Sequence, residues 1–380
     1  MIKLCSKSDC TGCAACVNIC SQRAISFILD HELFEQPVIN HGLCRECHQC
    51  EQACPVINDI PQNSIPKVYA GFAKDTRIRT ESSSGGLFSV FANDFIKNNG
   101  VVFGAAFDQN LHVRHISAMS EDELIPLRGS KYVQSDIAFS FRETKKYLQE
   151  KRPVFFTGTP CQIAGLYGFL GGKHENLFTC DLVCHGVPSP LFFKNYLLDI
   201  QRQKNITIDH VCFRKMDGWY VEMSFTRQKD IICPDFDMNY YLHAFLKSYS
   251  CRQSCYQCKF AKVPRVADIS IADFWGIERD DDFRDNASKG VSLLLINNQK
   301  GQILFEKCQS ELFYKIKSID EALIENHNIS NPSKKPVERD SFYTDYQTMS
   351  KQVFLKKYNL SLSSVVRAKI KIKKAFSLTR

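Results

Sequence analysis

The chain has 380 residues, 44% of them apolar, and a formal charge of +8, enough for a core and for one large or two smaller domains beside a small module. No apolar run approaches the ~18 residues of a membrane-spanning helix. The basic excess gathers near the C-terminus (Arg367, Lys369, Lys371, Lys373, Lys374, Arg380), which argues against a nucleic-acid binder. Eighteen cysteines follow a start, MIKLCSKSDC, that has no apolar signal region, so thiol ligands in a reducing cytoplasm are expected and a disulfide scaffold is not.

Residues 1–60 hold the sharpest pattern. Cys10, Cys13, Cys16 and Cys20 form a C-x2-C-x2-C-x3-C run, and Cys44, Cys47, Cys50 and Cys54 repeat it, followed by Pro55. This is ligand spacing for two four-iron, four-sulfur clusters, in which the fourth cysteine of each run ligates the other cluster. One cluster is therefore expected on Cys10, Cys13, Cys16 and Cys54, the other on Cys44, Cys47, Cys50 and Cys20. Structural zinc prefers two separated pairs of ligands. Cys5 fits neither run and reads as a packed thiol.

After a polar linker with Pro61 and Pro66, strand and helix alternate. Strands are expected at 68–73, 101–107, 111–117, 153–159 and 176–184, and helices at 82–100, 136–149, 160–170 and 189–203. This is an α/β pattern with a largely parallel sheet. Beyond 205 the pattern is mixed, with strands near 207–213, 219–226, 266–272 and 291–297 and helices near 238–248 and 299–309. Three units follow: 1–60, 61–330 and a helical, basic tail at 331–380.

Several short segments carry chemistry. In SSSGG (82–86), serines cap a helix and Ser84, Gly85 and Gly86 let backbone approach a phosphate, although a plain capped helix has the same look. Lys131 follows a glycine in a loop and suits a phosphate or a ring carbonyl. In GTPCQI, the strand ends at Gly158, Thr159 caps, and Cys161 lies in the first helical turn, where the dipole favours a thiolate. Asp181, Cys184 and His185 fall at the end of the next strand, where α/β sheets bind ligands. Cys251, Cys255 and Cys258 supply three corners of a third four-iron cluster. Cys184 is the preferred fourth ligand and Cys161 its rival; zinc and a non-cysteine fourth ligand remain alternatives. Asp273 and Trp275 end a further strand, poised for a polar ring.

In order, SSGGLFS, RGSKYVQSD, GTPCQIAGL, DLVCHGVPSP, C-x3-C-x2-C and DISIADFWG resemble the beta subunit of coenzyme F420-reducing hydrogenases and dehydrogenases, over roughly residues 5–300. The N-terminal run resembles a ferredoxin module fused to it. The resemblance implies an α+β ferredoxin-like two-cluster module, then an α/β flavin-binding domain with a mixed sheet, FAD beside a four-iron cluster, and electron exchange between clusters and flavin. The flavin converts single electrons to pairs. His185, Asp273 and Cys161 are the candidates for chemistry at its ring. Ser84, Gly85, Gly86, Lys131, Gly158, Thr159 and Trp275 are the candidates for holding it. A ferredoxin or another low-potential donor and a small-molecule acceptor are the expected partners, and surface-polysaccharide synthesis is a setting the resemblance brings with it. An electron-relay protein feeding a separate catalyst is the alternative. The tail SSVVRAKIKIKKAF (363–376) suits a solvated role or contact with an anionic membrane surface.

Overall fold

The computed structural model describes residues 2–61, 63–214, 221–228, 230–234 and 236–361. The membrane-contact tail, 363–376, lies outside them. No helix among the described residues is long and apolar enough to cross a membrane.

The first sixty residues form a small iron-ligand domain. Its two cysteine runs flank an antiparallel hairpin of β1 (Ile25–Leu29) and β2 (Glu35–Ile39). The sequence repeat is also a backbone repeat. Gly12 and Glu46, each just before the second cysteine of a run, have φ of +68° and +52°, and Ala14 and His48, just after it, both have φ of +59°. These left-handed residues turn successive cysteines inward, at a steric cost for Glu46, Ala14 and His48 that glycine avoids.

The rest is built on an eight-stranded mixed sheet in the order β13-β3-β12-β11-β7-β6-β4-β5. Its strands are β3 (Lys67–Ala73), β4 (Val101–Phe107), β5 (Val113–Ala118), β6 (Val154–Gly158), β7 (Leu177–Leu182), β11 (Ile269–Asp273), β12 (Ser292–Ile296) and β13 (Leu312–Lys317). β4, β6, β7 and β11 run parallel, and β12 is antiparallel to both β11 and β3. β6, VFFTG, is almost wholly buried, as expected for a parallel strand covered on both faces. Three more strands, β8 (His210–Arg214), β9 (Val221–Arg227) and β10 (Asp230–Ile232), make a separate antiparallel sheet.

Helix Pro160–Leu170 matches its sequence expectation residue for residue. Thr159 and Gln162 close a capping box, Pro160 opens the helix, and Gly171 ends it in the left-handed region. Ser189 caps helix Pro190–Lys204 through the Leu191 and Phe192 N–H groups.

The helix expected from residue 82 begins instead at Leu87, with no side-chain cap. Its serines bond elsewhere: Ser82 donates to the Ile78 carbonyl, Ser83 accepts from the Ser130 N–H, and Ser84 meets Ser292. β13 is a strand that pattern reading did not supply. At the C-terminal end, helices Arg339–Thr348 and Lys351–Lys357 bury Phe342, Tyr343, Phe354 and Tyr358 in the core that also holds Phe192 and Tyr241.

Candidate functional site

Cys10, Cys13, Cys16 and Cys54 line one cavity of about 360 Å³. Three come from the first run and one from the second, as the crossed ligand pattern requires. Cys5 lines the same cavity. Its hydrogen bonds to Cys10 and Cys54 raise its own pKa and draw those two below the usual thiol range. Its position before the first run gave no signal in the spacing. Burial pushes Cys13 up to about 12, so a bare thiolate is costly there and a bound cation would offset the cost. Four buried sulfurs around an enclosed space are a donor set that fits a four-iron cube.

The second set sits outward of the first. Cys50 is buried, and Cys16, Cys20 and Cys44 pack against its apolar cluster with Ile2 and Ile25. Cys47 is exposed. Cys16 feels charge from both Cys13 and Cys50, so it lies between the two sets.

The third set joins distant parts of the chain. Burial raises Cys255, and charge on Cys251, Cys184 and Cys258 raises it further. Burial pushes Cys184 up to about 11, with Cys258 adding to it, and Cys251 up to about 12, with Cys184 adding to it. These four thiols thus surround one locus. Gly186, at φ +120°, makes this possible: a Cβ there would stand 2.7 Å from the Cys251 sulfur. Cys161 neighbours Cys258 and Cys184 on one side and Cys13 on the other, and is 3.1 Å from the Thr159 hydroxyl. Its position lies between the inner set and the third set.

The remaining candidates divide into two groups. Gly158 and Thr159 lie on the thiol side: Thr159 is committed to its capping box and to Cys161, and a Cβ on Gly158 would meet Gln162 at 3.0 Å and His115 at 3.4 Å. His185 is half-buried beside Cys184. Its Nε2 is 3.3 Å from the Ser248 hydroxyl, its Nδ1 is buried without a partner, and burial lowers its pKa. Asp181 is wholly buried and bound to Arg265 at 2.7 Å, which makes it a structural anchor.

The second group gathers at the opposite side of β11. Asp273, Ser292 and Gly71 stand abreast on β11, β12 and β3. The Gly85 N–H donates to Ser292 Oγ at 2.9 Å, and a Cβ on Gly85 would be 2.5 Å from the Gly71 carbonyl. Gly86, at φ +86°, then starts the helix. The Ser83–Ser130 bond brings the loop of Lys131 alongside. Lys131 Nζ donates to the Pro126 and Arg128 carbonyls, and burial lowers its pKa to about 7.

Arg214, at the end of β8, completes this group and was not read from sequence. It pairs with Asp273, interacts with Tyr132, and sits 5.6 Å from the centre of the Trp275 ring. It is 6% exposed, and its Nε and Nη1 have no partner. Buried, unmet guanidinium donors fit a ligand carbonyl or anion, and the flanking Trp275 suits a ring. The only advance signal was an arginine at the end of a strand, which is too common to single out.

A family model for the C terminus of the coenzyme F420 hydrogenase/dehydrogenase beta chain matches residues 151–322, and a 4Fe-4S dicluster domain model matches residues 9–58. An uncharacterized protein of Methanocaldococcus jannaschii is 24% identical over 202 residues, covering 44% of this chain and 54% of that protein. The F component of the F(420)H(2) dehydrogenase of Methanosarcina mazei is 23% identical over 164 residues, covering 40% and 46%. The chain thus spans about half the length of these curated relatives. A chain of the F420-reducing [NiFe] hydrogenase complex from Methanosarcina barkeri superimposes with a TM-score of 0.46 at 16% identity, over 78% of this chain and 93% of that one.

Proposed function

Because the chain belongs to the coenzyme F420 hydrogenase/dehydrogenase beta-subunit family and carries a 4Fe-4S dicluster domain at its head, we propose that it is an iron–sulfur flavoprotein oxidoreductase. It would take single electrons at the exposed Cys47 end and deliver pairs to a small-molecule acceptor. The observation that carries this reading is the line of thiol sets. Cys16 lies between the outer and inner sets, and Cys161 lies between the inner set and the third.

Clusters on these sets would form a conductor running from the surface into the α/β domain. FAD would convert single electrons to pairs. Its place is the group of Ser84, Gly85, Gly86, Lys131, Asp273, Trp275 and Arg214, at the strand edge where α/β sheets bind ligands. There the unmet Arg214 donors would hold a carbonyl or anion, while Asp273 orients the guanidinium. His185, half-buried beside the third set, would hold or pass a proton through its free Nδ1.

The donor would dock on a module whose own charge is mildly acidic. Residues 1–60 carry four Lys and Arg against seven Asp and Glu, although the whole chain is at +8. Arg45, Glu46, His48 and Glu51 around Cys47 would therefore set the local fit for a ferredoxin-like donor.

Oxygen-free purification tests the reading directly. About twelve irons and one FAD per chain are expected, with flavin absorbance bleached by reduced ferredoxin. Twelve irons without flavin would leave an electron-relay protein. Zinc in the thiol sets would end both readings.

A further inference from the structure

Arg252 lies between two ligand cysteines in sequence terms, next to Cys251, yet it reaches away to the N-terminal domain. It is 2% exposed. Its Nε donates to the Cys10 carbonyl at 2.6 Å, Nη1 to Gln134 Oε1 at 3.2 Å, and Nη2 to the Glu35 carbonyl at 2.9 Å and to Gln36 Oε1 at 2.8 Å. All four acceptors are neutral. Among the described residues it forms no ion pair, whereas the buried Arg265 and Arg339 bind Asp181 and Glu32. A buried guanidinium without a counter-ion is costly.

The surroundings show where the counter-charge would lie. The Cys10 thiol is drawn down partly by the Arg252 charge and by a hydrogen bond from it. Gly12, inside the first ligand loop, leaves the necessary space: a Cβ there would stand 3.0 Å from Arg252 Nη1 and 2.4 Å from Gln134 Nε2. The loop that wraps the inner set is therefore shaped around a cation. A cube with four thiolates is anionic, and each electron it accepts adds one more negative charge.

We propose that Arg252 is the resident counter-charge of the inner cluster and holds its reduction potential above that of the outer, exposed cluster. This rests on the reading that Cys10, Cys13, Cys16 and Cys54 hold a four-iron cube. One electron enters this cube from the outer cluster and leaves toward the third. No proton moves, because a guanidinium does not titrate in this range. The fixed charge makes entry downhill and keeps electrons from returning to the surface. Arg252 is thus a positioning residue that acts through electrostatics.

Redox titration of the whole chain, followed by electron paramagnetic resonance and paired with iron analysis, is the test. Arg252→Gln should retain iron and shift the inner cluster's one-electron equilibrium about tenfold toward the oxidised form, about 59 mV downward. The outer cluster should not move. Arg252→Lys, which keeps the charge, should recover most of the shift. An Arg252→Gln chain with full iron and an unmoved inner midpoint overturns the proposal, as does a Lys variant that falls as far as Gln. If the Gln variant loads no iron, the Lys variant decides: full iron and a midpoint near wild type support the proposal, and a tenfold fall overturns it. A wild-type chain without iron on the N-terminal thiols overturns the cluster reading itself, and iron analysis alone reports that.

Discussion

Gly165 lies against Cys13 so closely that a Cβ built on it would stand 3.0 Å from the sulfur. One turn further along the same helix, a Cβ on Gly168 would be 2.2 Å from the Ala53 carbonyl. The helix therefore seats the inner thiol set directly on the α/β domain, and the two glycines permit that approach. Gly168→Ala should force the surfaces apart, because backbone cannot yield as a flexible side chain does. A loss of roughly 1–3 kcal/mol is expected, measured as a lower unfolding midpoint, together with slower electron arrival at the third cluster. An unchanged midpoint would mean that the domains are not in close contact.

Cys258→Ser should lower iron from about twelve to about eight per chain and leave the two N-terminal clusters visible by spectroscopy. Cys184→Ser should do the same if Cys184 is the fourth ligand, and Cys161→Ser should then keep all the iron. The reverse outcome for Cys184 and Cys161 would exchange their roles.

Lys131 carries a pH signature. Burial lowers its pKa from 10.5 to about 7 in the folded chain. Below about pH 7 the amine is charged in both folded and unfolded states, and the burial cost is fully present. Between about 7 and 10.5 only the unfolded state holds the proton, so stability rises with pH. Wild type should therefore gain on Lys131→Met between about pH 7 and about pH 9.5, read from paired thermal melts. A constant difference between the two proteins would show that the amine is solvated.

Asp181→Asn should leave Arg265 buried and unpaired between β7 and β11. A cost of roughly 3–5 kcal/mol is expected, read from chemical denaturation. The double change Asp181→Asn, Arg265→Met should recover part of it, because two neutral groups need no ion pair.

Much of this architecture was legible because it is encoded locally. Thr159, Pro160, Gln162 and Gly171 punctuate one helix within a few positions, and the cysteine runs carry their spacing in plain view. β13 was not legible: LFYKIK has lysines where its edge meets water, and its strand character comes from pairing with β3 across more than two hundred residues. The buried arginines were hidden for the same reason. Arg214, Arg252, Arg265 and Arg339 look like surface residues until Asp273, Cys10, Asp181 and Glu32 are brought to them. The serines of 82–86 misled in the opposite direction, since their cap-like composition serves bonds to Ile78, Ser130 and Ser292.

Arg339 grips Glu32 with two bonds of 2.9 Å across 307 residues of chain and also binds the Cys251 carbonyl. A ribosome therefore releases the metal-binding head long before it makes the clasp that fastens it. Any iron delivered during synthesis would enter a head that is still tethered loosely, and the late helix would close over a finished part. Assembly of this protein thus has a built-in last step, and truncation before Arg339 should leave a loaded head that swings free.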